Sequence, residues 1–127
     1  MAVGLPLLET LGTDDQKASW LQSAASGDTK IAVVFDGDSV TPHAGVADVV
    51  LVQHGDHAYC VPQSDLGTSE EVSVDRARNV ARVQSDALSE AFQMRSDVDG
   101  HAAFASAREH GAVATAAQLV GLSLIHI

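Results

Sequence analysis

Between Lys30 and Val83 the apolar residues come in short runs rich in Val and Ile, each cut by Gly, Asp, Pro or Asn. No other feature narrows the possible folds as much. Runs of this length and composition form strands and the breakers between them form turns, so the middle of the chain reads as an antiparallel β module. The strand candidates are "KIAVVF", "ADVVLVQH", "HAYCVP", "EEVSV" and "NVARVQ". Between the second and third, His54-Gly55-Asp56-His57 reads as a tight hairpin, because Gly55 can take the positive φ that such turns need.

Helical patterns flank this module. Thr13 is followed three residues later by Gln16, the spacing of a reciprocal capping box, and Asp14 and Asp15 suit the positive end of a helix dipole. Trp20, Leu21 and Ala24 share one face of the helix that follows, and Gly27 suits the left-handed position that ends it. A shorter helix around Leu7 to Leu11 makes the pair a helical hairpin. From His101 onward alanine dominates, and Phe104, Arg108, Gly111, Thr115, Gln118, Leu119 and Leu122 fall at helical spacing. Phe104, Leu119 and Val120 have no obvious apolar partners in the sequence, which favours packing in a helix bundle. The fold class is therefore α+β: a helical hairpin, a small antiparallel, barrel-like β module, then a long helix. The boundaries fall at residues 1–29, 30–96 and 97–121, with 122–127 set apart.

Charge and cysteine content narrow the function. Seven Lys+Arg against 17 Asp+Glu give a formal net charge of -10, with no basic stripe for a phosphate backbone, so nucleic acid is not an expected partner. The N-terminus "MAVGLPLLETLG" lacks a signal peptide's basic and apolar regions, and no run approaches the roughly 20 apolar residues of a membrane span. Cys60, the single cysteine, cannot form an internal disulfide and reads as buried filler in a reducing cytoplasm.

The motifs that suggest chemistry fail on spacing. "HGDH" puts His54 and His57 at the two ends of a hairpin without a third or fourth ligand. "DGDSV" and "DVDGH" open like calcium loops, but the twelfth positions from Asp36 and Asp97 hold Ala47 and Arg108 rather than Glu. "GDSVT" has Thr41 where a nucleophile elbow needs its final Gly, and no glycine-rich nucleotide fingerprint is present. Read from its residues alone, the chain carries no complete catalytic set and no metal site.

A resemblance adds what these patterns leave open. From about Leu8 to Gly121 the chain resembles an acyl-CoA dehydrogenase of the actinobacterial kind. "GTDDQKASWLQSAASGDTKIAVVF" looks like the turn from the last N-terminal helices into the family's middle β domain, with Gln16, Lys17, Trp20, Leu21 and Gly27 as landmarks. "TPHAGVADVVLV" looks like the stretch where a strand nears the flavin and Ala47-Asp48 begins the next strand. "DRARNVARV" resembles the close of the middle domain, and "AVATAAQLVG" the first helix of the C-terminal four-helix bundle. The resemblance implies FAD as cofactor, an acyl-CoA substrate, and a homo- or hetero-oligomer of such subunits. In that chemistry a carboxylate removes the α-proton of the thioester while the flavin takes a hydride from the β-carbon. The family's base is a Glu beyond the position of Gly121, so no catalytic residue is assigned here.

The same resemblance places Phe35, Asp36, Thr41 and Pro42 at the cofactor. The family usually has Leu-Thr-Glu where Phe35, Asp36 and Gly37 stand, and Trp-Ile-Thr where Val40, Thr41 and Pro42 stand. An ionised Asp36 accepts hydrogen bonds but cannot donate one as a Thr hydroxyl does. The linker between these two sites is short. Two rival readings follow: a non-catalytic partner subunit of a heteromeric dehydrogenase, and an unrelated acidic binding module that folds alone as a monomer.

The last six residues, "LSLIHI", leave the helical pattern without a cap. They resemble the translation of a transposase mosaic-end adapter and are expected not to be native. Genomic DNA sequenced across Gly121 is expected to show a different continuation; the same six codons running on from Gly121 would overturn this.

Overall fold

The computed structural model describes residues 2–36, 40–84 and 88–126. Helix α1 (Gly4–Leu11) and helix α2 (Asp14–Ser26) form the expected hairpin. The α2 start carries the capping box: the Gln16 N–H donates to Thr13 Oγ1 at 3.3 Å and the Thr13 N–H to Gln16 Oε1 at 3.0 Å. Gly27 ends α2 with φ 91°, in the left-handed region that a side chain would strain. Ala24 is buried, and Trp20 and Leu21 pack against the core, as their shared face requires.

Strands β1 (Ile31–Val34), β3 (Val49–His54) and β4 (His57–Pro62) form one sheet in the order β1-β3-β4. Strands β2 (Thr41–Pro42), β5 (Thr68–Glu71) and β6 (Val80–Val83) form a second, in the order β2-β6-β5. The β3–β4 hairpin closes through Gly55-Asp56, with Gly55 at φ 59° and His54 opposite His57.

Alternation along β3 sorts the core into two layers. Val49 and Leu51 face one way, into a cluster with Leu7, Leu8, Leu11, Cys60, Phe104 and Ala107. Val50 and Val52 face the other way, joining Ala32, Val34, Val61, Leu66 and Ala81 from both sheets. The architecture is thus helices on sheet on sheet, consistent with α+β. Within that class one pairing differs from the sequence reading. β1 and β3 run parallel, Ile31 opposite Val49 and Val34 opposite Val52; between them in sequence Thr41–Pro42 belong to the second sheet, and β3 then begins beside the start of β1. The sheets face each other as an open sandwich, and no closed barrel forms among the described residues.

Two boundaries also move. The run "EEVSV" contributes only Glu70 and Glu71 to β5, because pairing with β6 ends at Glu71 opposite Val80. Val72 and Val74 beyond it are fully exposed, in a loop that turns at Asp75, whose backbone oxygen accepts the Arg78 N–H at 3.0 Å. Helix α3 (Gly100–His126) runs through "LSLIH" rather than stopping at Gly121. Nothing in that stretch breaks a helix, and the Ser123 hydroxyl bonds back to the Leu119 carbonyl at 2.8 Å. Phe104 finds its apolar partners inside this chain, whereas Leu119 and Val120 do not: both are more than half exposed.

Gln16 does more than cap. Its Nε2 reaches the Phe92 and Gln93 carbonyls at 3.4 and 3.3 Å, tying α2 to the segment that enters α3. Replacing Thr13 by Ala is expected to cost about 1 kcal/mol, the usual worth of an N-cap. Gln16→Ala should cost more, since it removes the same box and the distant tie; urea midpoints of the two variants check the order.

Candidate functional site

The end of β1 and the first turns of α3 meet at Phe35. Its ring lies 5.8 Å from that of Phe104 at an interplanar angle of 89°, an edge-to-face contact. One helical turn beyond Phe104, the Arg108 guanidinium lies over the Phe35 ring, 4.5 Å from its centroid. Asp36 is exposed, and its N–H donates to Gln53 Oε1 at 3.4 Å. Next to this junction is an open cavity of about 520 Å³, lined by Phe35, Asp36, Gln53, His101, Arg108 and Glu109 among others. Its size falls in the range of small-molecule sites. A second groove of about 440 Å³ lies along α1, β1 and α3, and shares Phe35 and Arg108 with the first.

Thr41 and Pro42 sit elsewhere. Both belong to β2 in the second sheet, opposite Ala81 and Val80; Thr41 is buried and Pro42 is exposed. Neither lines the Phe35 cavity. The structure therefore brings Phe35 and Asp36 together with α3 and leaves Thr41 and Pro42 on a separate surface. Gly37, which completes the first of these two stretches, lies outside the described residues, as do parts of "DGDSV" and "GDSVT".

Other chemistry-bearing residues have local partners. His54 and His57 are exposed at the hairpin, and His57 Nδ1 lies 3.2 Å from Gln93 Nε2. In "DVDGH", Asp97 is bound by Arg95 at 3.0 and 2.6 Å, and this hydrogen bonding holds its carboxyl below the usual range. Asp99 caps α3 by accepting the Ala102 N–H at 3.0 Å. Among the described residues no group of three or more His, Cys, Asp or Glu is placed to hold a metal ion, and no helix is long and apolar enough to cross a membrane.

Gln53, His101, Arg108 and Glu109 were not legible as site residues. Gln53 alone left a signal, as the polar residue at the end of an apolar strand. The other three occupy ordinary surface positions of a helix, and only the approach of β1 gives them a common cavity.

Models of protein families match no part of the chain, and no curated protein matches it. Solved structures do. PigA with FAD and proline superposes with a TM-score of 0.65 at 14% identity, covering 87% of this chain and 39% of that one. Glutaryl-CoA dehydrogenase from Mycobacterium smegmatis gives 0.65 at 14% identity, with 86% and 37% covered. The ChsE4–ChsE5 complex from Mycobacterium tuberculosis gives 0.52 at 13% identity, with 84% and 38% covered. The chain spans less than two-fifths of the length of each. At these identities the likeness is one of fold, and the fold is the one that the resemblance to acyl-CoA dehydrogenases implies.

Cys60 faces the helical layer and is 3% exposed; burial pushes its thiol up to about 12. Its reading as inert filler is testable. At pH 8 a thiol reagent should leave the folded chain unmodified and titrate one thiol after denaturation. Above its ordinary value of 9.0 the unfolded chain ionises this thiol while the folded chain does not, so stability should fall as pH rises from there toward 12. Rapid modification of the folded chain at pH 8 would contradict this.

Proposed function

We propose that this chain is part of a flavin-dependent acyl-CoA dehydrogenase, a cytoplasmic oxidoreductase acting on the CH–CH group of an acyl-CoA thioester. The observation that carries the reading is the cavity where α3 crosses the end of β1, in a fold shared with FAD-bound PigA and with glutaryl-CoA dehydrogenase. FAD, when bound, supplies the hydride acceptor. The cavity at Phe35 and Asp36 fits part of such a group: it has room for a ring system and carries the Gln53 amide and the Arg108 guanidinium as donors. It does not hold a whole dinucleotide. Thr41 and Pro42, the other two residues assigned to the cofactor, would touch it only if it extended to the second sheet.

This chain's part is to bind and orient. Phe35, fixed by Phe104 and Arg108, sets the cavity wall, and the Gln53 amide holds the chain at Asp36. The proton-abstracting carboxylate is assigned to sequence beyond this stretch, and acyl-CoA is taken as substrate on the resemblance. Assembly into homo- or hetero-oligomers is part of the reading. The exposed Val113, Leu119 and Val120 on α3 support it over an acidic module that stands alone as a monomer.

A second reading, a non-catalytic partner in a heteromeric enzyme, is favoured by one observation. Asp36, exposed, commits its N–H to Gln53, and Pro42 has no N–H, so two of the four residues that the resemblance assigns to the cofactor offer it no backbone donor. The product of the uninterrupted gene is expected to purify with FAD and to lose its flavin absorbance on addition of an acyl-CoA. A product that purifies without flavin and neither gains it nor reacts when mixed with a paralogous subunit would defeat both readings. A carboxylate at the downstream base position separates the first from the second.

A further inference from the structure

We draw no further inference here: the strongest candidate, the apolar groove along α1, β1 and α3 that Arg108 borders, shares Phe35 and Arg108 with the site already described, and nothing in the structure shows what covers it.

Discussion

One strand is buried on both faces, and the rest of the structure is arranged to keep it so. From Val49 to Gln53 five consecutive residues of β3 are buried, odd positions under the helices and even positions under the second sheet. With apolar residues on both faces, alternation no longer states which face is which, and a slip of one residue would exchange one set of valines for another. The register has to come from elsewhere. The Gly55-Asp56 turn supplies it on one side, fixing Leu51 opposite Cys60, and Gln53 supplies it on the other, since only in this register does its amide reach Asp36.

A segment without regular structure connects this strand to the candidate site. The Met94 N–H donates to the Ala58 carbonyl and the Arg95 N–H to the Leu11 carbonyl, both at 2.8 Å, while Gln93 bridges to Tyr59. These bonds cover the outer edge of β4 as a further strand would. They also fix where α3 begins, and a helix pinned at its start is aimed along its whole length. Phe104 and Arg108 reach Phe35 because residues 92–95 are held at both α1 and β4.

What was legible in the sequence follows the range of the interactions. The Thr13–Gln16 box, the Gly27 terminus and the Gly55 hairpin each depend on residues within four positions of one another, and the structure holds all three. The parallel pairing of β1 with β3 depends on the excursion of Thr41–Pro42 to the second sheet, and no local pattern records it. The end of β5 is set by its partner β6 rather than by the valines that follow Glu71. The candidate site divides along the same line. Phe35 and Asp36 could be singled out because a resemblance pointed to the end of β1, but the Arg108 stack and the Gln53 amide exist only once two distant segments are packed together.

Helix α3 carries the last constraint. Every Asp, Glu, Lys and Arg of the chain lies at or before Glu109, so the helix beyond it has no charged side chain, and there Val113, Leu119 and Val120 are exposed. Ion pairs four residues apart, which stabilise a solvated helix, are impossible in that stretch. Isolated helices shorter than about 12–15 residues are marginal in water even when alanine-rich, and helix stability in proteins comes mainly from packing an apolar face. The first turns of α3 have that packing at Phe104 and Ala107, and Gly111 comes close to Val3; Val113, Leu119 and Val120 farther on are apolar but exposed. An uncharged stretch with these exposed apolar side chains favours packing against a further surface.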